Sequence, residues 1–290
     1  MSESRSGVAI SEAELKQLDG IISPLLRNGQ SLHHIAIHHA DEVMKSERTL
    51  YAYVNKGLFT AGNLDMPRTV RMRPRKGKSK VLKIDKGCRI GRSYDDCLSF
   101  IEEHPHISVR QLDSVEGTKG GAALLTIHFV QQQLQIAFLR DANNSQSVID
   151  IFEQLYFELG QDIFIALFPA MLADNGSEFS NPKAIEFDRQ GNKRTQIFYC
   201  NPNAPYEKAH CENNHGMIRR CIPKGVDIGR YTQAQISHMM SHINSYARNN
   251  LGDKNPYDVF AFQYGEEILN IFGLKKIPAE EIILTPNIFK

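Results

Sequence analysis

Three acidic residues in this 290-residue chain, Asp113, Asp174 and Glu212, are of the type and placement that metal-assisted transfer at a phosphodiester would need. That chemistry asks little of a protein beyond carboxylates that hold hard divalent ions, which activate an attacking oxygen and stabilise a leaving one. The carboxylates must come from separate elements and converge at one end of a sheet. Asp113 lies inside the apolar run VRQLDSVEG, where an acid costs free energy unless it is paired or metal-bound. Asp174 ends the run FPAMLAD just before Asn175-Gly176, where a strand gives way to a turn. Glu212 falls in a helical stretch with Asn213, Asn214 and His215 around it. Each residue also has an ordinary use. An Asp before Asn-Gly stabilises its own turn, and a Glu on a helix is commonly solvated surface. Spacing by itself leaves both uses open.

The elements that must position these acids begin after His104-Pro105. VRQLDSVEG, AALLTIHFV and LQIAFLR predict an antiparallel meander. SQSVIDIFEQLYFELG predicts a helix with Val148, Ile151, Phe152, Leu155 and Leu159 on one face. A buried strand is expected in FPAMLADNGSEF and a fifth in TQIFYC, followed by a helix from about residue 206 to 222. TQAQISHMMSHINSYARNN and PYDVFAFQYGEEILNIFG each predict one further helix. This is the element order of a mixed α/β, RNase H-like fold.

Upstream, residues 11–56 read as three short helices. Ser11-Glu-Ala-Glu14 is a helix start, with Leu15, Leu18, Ile21 and Ile22 at helical spacing behind it. Pro24 predicts a kink or break, and Asn28-Gly29 a turn. Ser46 is placed to cap a last helix that stops at Gly57. The outline is that of a helix-turn-helix module, although small helical subdomains with no nucleic-acid role share it. From Arg68 to Arg92, Lys and Arg are opposed by Asp85 alone, and Pro and Gly interrupt any helix. Such an arm suits tracking of DNA phosphates, and a solvated connector would have the same composition.

Hydrophobic residues at 41% and charged residues at 23% exclude wholesale disorder, and a net charge of +1 says little about partners. No apolar stretch approaches the roughly 18 residues that span a bilayer, and MSESRSGVAI lacks a signal-peptide pattern. A cytoplasmic protein, associated with the nucleoid when on DNA, is the expectation. The five cysteines include no CxxC pair, so free thiols are expected. His34 and His38 have a spacing that can hold zinc, but no further ligand is apparent, and a polar helix surface near DNA is the better reading. His215 reads either as a partner of the acids or as surface. Lys208, Arg219, Arg220 and Lys224 flank Glu212 and read as phosphate clamps or as a solvated face.

The runs LADNGSEFSNPKAIEF and NPNAPYEKAHCENNHGMIRRCIPKG resemble the core of the insertion-sequence-thirty (IS-thirty) family of transposases. QLDSVEG resembles that family's first-strand signature, and TQAQISHMMSHINSYARNNLGDKNPYDVF its C-terminal part. The resemblance implies a DDE transposase with an integrase-type, RNase H-like core. It carries the three metal-holding catalytic positions onto Asp113, Asp174 and Glu212. It further implies Mg²⁺, with Mn²⁺ as substitute, and cleavage at transposon ends followed by strand transfer from the freed 3′-hydroxyl. DNA ends and target DNA are the implied partners, with a homo-oligomer and no membrane. The corresponding division is 1–62 helix-turn-helix-like, 63–104 basic linker, 105–264 catalytic core and 265–290 C-terminal tail. Family members carry another helix-turn-helix segment upstream of where this chain starts, so a shortened, non-transposing DNA-binding derivative is the alternative expectation.

Overall fold

The computed structural model describes residues 10–67, 87–202 and 204–290, without the side chains of residues 205, 206 and 209–213. The basic run from Arg68 to residue 86 and the Glu212 side chain therefore lie outside the described residues.

The strands are β1 (Val109–Glu116), β2 (Ala123–Phe129), β3 (Leu134–Arg140), β4 (Ala170–Ala173) and β5 (Ile197–Tyr199), in one sheet of order β3-β2-β1-β4-β5. The first three form the expected antiparallel meander. β4 then pairs parallel with β1, and β5 parallel with β4. Parallel neighbours need a crossover, and two helices between β3 and β4 supply it: α6 (Ser145–Leu159) and α7 (Gln161–Leu167). Asn144 caps α6 by accepting the Ser147 N–H, and the helix buries the five apolar residues its spacing predicted.

β4 is buried on both faces, which is why it reads as a continuous apolar run. Met171 and Ala173 join the main core with α6, while Ala170 and Leu172 join a smaller core with Cys97, Phe198 and Cys200. Cys97 belongs to α5 (Tyr94–Glu103), a helix the sequence reading did not anticipate. Ser93 and Asp96 cap it reciprocally.

After β5 come the short α8's successors α9 (Ala209–Cys221), α10 (Gln233–Ser245), α11 (Pro256–Tyr264) and α12 (Glu266–Ile271); α8 itself (Pro182–Glu186) precedes β5. The single helix expected over residues 256–273 is in fact two. Gly265, at φ 92°, takes a backbone conformation that ends α11 and starts α12. The segment beyond is packed, with Ile282, Leu284 and Ile288 in the main core.

At the N-terminus there are four helices rather than three: α1 (Glu12–Arg27), α2 (Leu32–His38), the single turn α3 (Ala40–Val43) and α4 (Glu47–Asn55). Ser11, Ser31 and Ser46 each cap a helix by accepting a backbone N–H three residues on. The expected break at Pro24 does not occur, and α1 runs through it to Arg27. The carbonyl that Pro24 leaves without an N–H donor is that of Gly20, an exposed residue, so water can satisfy it. Leu18, Ile22, Leu26, Leu32, Ile35, Leu50 and Val54 give these helices a core of their own. The Gln30 amide joins them to the main body by donating to the carbonyls of Ala279 and Ile282, both at 3.0 Å. Tyr246 donates its hydroxyl to Ser31 Oγ at 2.7 Å. Among the described residues no helix is long and apolar enough to cross a membrane.

Candidate active site

The parallel pairing of β1 with β4 brings the first two acids together. Gln111 pairs with Leu172, and Asp113 and Asp174 each lie two residues further along their chains. β4 ends at Ala173, whereas β1 runs on beside β2 to Glu116. Asp113 is thus in mid-strand yet beyond the end of the β1–β4 pairing. The carboxyl ends of strands are where open α/β sheets place their sites.

In each acid the two oxygens divide the work. Asp113 Oδ1 accepts the Ser114 N–H at 2.8 Å, and Asp174 Oδ1 accepts the Gly176 N–H at 2.9 Å. The second of these is the turn-stabilising role an Asp before Asn-Gly was expected to have. The Oδ2 atoms face one ammonium instead, Lys208 Nζ, 3.2 Å from Asp113 and 4.0 Å from Asp174. Lys208 also donates to the Leu112 carbonyl at 2.8 Å, and its side chain is only 8% exposed. Burial raises the Asp174 carboxyl above its ordinary pKa; Lys208 opposes that rise, and the negative Asp113 adds to it.

Helix α9 lies against β1 and supplies His215. Its Nδ1 is 3.8 Å from Asp113 Oδ2, and its Nε2 is 2.9 Å from Thr126 Oγ1. Thr126, directly across from Asp113 on β2, also donates its hydroxyl to the Asp113 carbonyl at 3.1 Å. Burial lowers the imidazole pKa, favouring the neutral ring, while the Asp113 carboxylate opposes that shift. Of the two readings of His215, the structure gives the partner of the acids. Glu212 is one helical turn before it on α9.

The turn after Asp174 is anchored from several sides. Asn175 Nδ2 donates to the Cys200 carbonyl at 2.8 Å, while Arg89 Nη2 donates to the Asn175 carbonyl at 3.3 Å and stacks over Tyr199. Glu178 is buried and folds back over Gly176, where a Cβ would lie 2.3 Å from its carboxylate oxygen. A side chain at position 176 would therefore displace Glu178.

The cations flanking Glu212 are mostly engaged by the protein. Lys208 is between the acids, Arg219 donates to the Glu116 carbonyl at 2.6 Å, and Arg220 donates to the Gly29 carbonyl; Lys224 is exposed. His34 is buried and stacked on Tyr246 rather than being helix surface. Cys88, Cys97, Cys200 and Cys221 are free thiols.

Among the described residues no set of three or more His, Cys, Asp or Glu side chains could hold a metal ion. The pair Asp113 and Asp174 nonetheless fits a hard divalent ion in its chemistry. Two carboxylate oxygens already converge on one positive charge, and each acid keeps its other oxygen fixed by a backbone N–H. Lys208 is expected from sequence as a phosphate clamp or a solvated cation, and Arg89 as part of the basic run, but neither as a neighbour of the acids; Thr126 is not singled out at all. Lys208 was legible only as one of four flanking cations, and the other two gave no signal that distinguished them from neighbours.

The chain is similar to insertion-sequence transposases. It is 27% identical over 233 residues to a probable transposase for the insertion-like sequence element IS1161 of Streptococcus salivarius, covering 79% of this chain and 62% of that one. It is 25% identical over 150 residues to transposase InsI for the insertion sequence element IS30A of Escherichia coli K12, covering 51% of this chain and 36% of the relative. A putative integrase, ORF3, of a Spiroplasma virus is 20% identical over 201 residues, or 69% of this chain and 58% of that one. The chain thus spans about three-fifths of the first relative's length. No protein-family model matches it.

Proposed function

We propose that the chain is an insertion-sequence transposase of the DDE type, with an RNase H-like core that cleaves DNA at transposon ends and joins the freed end to target DNA by attack of its 3′-hydroxyl on a target phosphodiester, whose own 3′-oxygen leaves. The observation that carries this reading is the convergence of Asp113 and Asp174 on one cationic position at the ends of paired parallel strands. The sheet order, with its antiparallel meander followed by two parallel strands, supports the RNase H-like assignment. Similarity to transposases and to a putative integrase supports the DNA chemistry.

Asp113 and Asp174, with Glu212 as the third carboxylate, would hold Mg²⁺, or Mn²⁺ in its place, which when bound activates the attacking oxygen and stabilises the leaving one. Asp113 is held in orientation by the Ser114 N–H, and Asp174 by the Gly176 N–H. Thr126 and His215 pack around Asp113 and fix the strand that carries it. Arg89, at the described end of the basic run, puts a guanidinium one peptide from Asp174, where a DNA backbone entering the site would meet it. Water and then the 3′-hydroxyl serve as nucleophiles, so no protein side chain is consumed. The N-terminal helices and the basic run are the proposed DNA-reading parts, and the active form is a homo-oligomer, because two DNA ends must be joined.

The test is nicking of duplexes that carry the element's ends, with Mg²⁺ or Mn²⁺. Wild type should cleave only with metal, and Asp113→Asn and Asp174→Asn should each lose about 10²-fold or more in rate while still binding DNA. Binding without cleavage by the wild type would favour a non-transposing DNA-binding derivative.

A further inference from the structure

We infer that Lys208 is a resident counter-ion of the two aspartates, one that competes with a divalent metal for the site and is displaced when metal binds. The inference rests on the reading of Asp113 and Asp174 as metal-holding carboxylates. Its own ground is the position of the ammonium. Nζ is 3.2 Å from Asp113 Oδ2 and 4.0 Å from Asp174 Oδ2, so it faces the very oxygens that the backbone leaves unused.

A lysine side chain 8% exposed has given up most of its water. The Leu112 carbonyl replaces part of that solvation, and the carboxylates supply the charge balance that makes burial tolerable. The ammonium in turn relieves the mutual repulsion of the two acids, which would otherwise confront each other across the end of β1 and β4. The same negative field cannot be used twice at full strength. A divalent ion bound by both Oδ2 atoms would face a fixed positive charge in contact distance, so the two cations exclude one another.

The sequence delivers Lys208 in a way that makes exchange local. It is the last residue of the 3-10 turn Pro205–Lys208 and the first residue before α9, the helix that carries Glu212 and His215. The turn has an anchor besides Lys208, at Glu207. Glu207 accepts from the Asn201 backbone N–H at 2.7 Å and from its side-chain amide at 3.0 Å. Swinging the four-carbon stem of Lys208 out of the site leaves these bonds intact. A metal-free protein arranged in this way keeps its acidic site folded and partly neutralised until metal arrives. A purely structural Lys208, holding the site in shape for metal, would have the opposite effect on affinity.

The experiment is titration of the full chain with Mn²⁺ alone, followed by electron paramagnetic resonance of the free ion, for wild type, Lys208→Met, Lys208→Arg, Asp113→Asn and Asp174→Asn. Mutually exclusive cations imply that Lys208→Met binds Mn²⁺ about fivefold tighter or more, while Lys208→Arg, which keeps the charge, stays near wild type. Unchanged or weaker binding by Lys208→Met overturns the inference. Absence of Mn²⁺ binding in wild type, or binding indifferent to both aspartate substitutions, overturns the metal-site reading itself and the inference with it. Should Lys208→Met not fold, acylation of wild-type lysines followed by peptide mass spectrometry gives the same decision. Modification of Lys208 should rise on adding Mn²⁺, and a constant or reduced level overturns the displacement.

Discussion

Asp113 and Asp174 each lie two residues past Gln111 and Leu172, the last pair of the parallel β1–β4 ladder, and their Oδ2 atoms face the same ammonium. One acid is therefore within a strand and the other in a turn, although they occupy equivalent places. The difference arises only because β1 continues beside β2 after β4 has ended.

The two acids should differ in their effect on the metal-free protein. Burial raises the pKa of Asp174, so the folded chain binds that proton more tightly than the unfolded chain does. Its ionised form then subtracts from stability, increasingly as pH climbs from the ordinary carboxylate range through the raised value, and fully above it. At pH 7, Asp174→Asn should raise the metal-free melting temperature slightly, and Asp113→Asn, which strips Lys208 of its nearer carboxylate, should lower it. Thermal unfolding without metal reads both. A fall for Asp174→Asn would contradict the desolvation account.

His33 should make attachment of the helical module pH-dependent. Its Nδ1 lies 2.9 Å from Glu47 and its Nε2 3.0 Å from Asp253, across the boundary between α2 and the body. The hydrogen bond to Asp253, followed by that to Glu47, raises its pKa above 6.5. With a raised folded-state value, the contribution is fully present below the unfolded pKa and disappears as pH rises through the folded one. The partners are half-exposed, so it is worth about 1 kcal/mol or less. The stability gap between wild type and His33→Gln should be widest near pH 5.5 and close toward pH 8.5, about one unit below and two units above the unperturbed value.

Arg92 should matter more than a surface arginine. Glu186 is 1% exposed and receives Arg92 Nε at 3.0 Å and Nη2 at 2.5 Å, together with the Ile197 N–H at 3.0 Å. Removing the guanidinium leaves a buried carboxylate without its cation, which costs about 3 kcal/mol or more. Urea unfolding of Arg92→Ala should show a loss of that order. Because the Arg92 carbonyl also accepts the Tyr199 N–H at 2.8 Å, the same change should loosen the edge of β5 in hydrogen exchange.

Gly117 should resist even alanine. A Cβ there would lie 2.1 Å from the Val226 carbonyl oxygen and 2.8 Å from the Ile228 side chain. The obstacle is backbone, so the segment after α9 must move as a unit, at a cost of about 1–3 kcal/mol. The measurement is the urea midpoint of Gly117→Ala, and a midpoint equal to wild type would show that this segment yields freely.

Most of the architecture could be read locally, because the strands are apolar-rich runs between turn residues and α6 buries one face at helical spacing. What could not be read was set by distant partners. The parallel pairing that aligns Asp113 with Asp174 joins segments some sixty residues apart, and nothing local encodes its register. Lys208 belongs to a cluster of cations whose spacing is equally good for a solvated helix face, and only tertiary packing turns it inward. Helix α5 was legible in principle from Ser93 and Asp96 at capping spacing, but the basic run before it dominated the composition. Pro24 misled because its ring meets an exposed carbonyl at Gly20, so the usual penalty is relieved by solvent.

The hydrogen bonds from Gln30 to Ala279 and Ile282, and from the Leu284 N–H to the Asn28 carbonyl at 2.8 Å, join parts of the chain that leave the ribosome far apart in time. The N-terminal helices have their own core and can form early, but their bonds to the main body reach Arg220, Tyr246, Asp253 and residues 279–284, so docking is complete only once the last of these has been synthesised. A nascent chain arrested before that point would carry both aspartates with its first helices only partly fastened. The final orientation of the first helices thus depends on a segment made well after both aspartates.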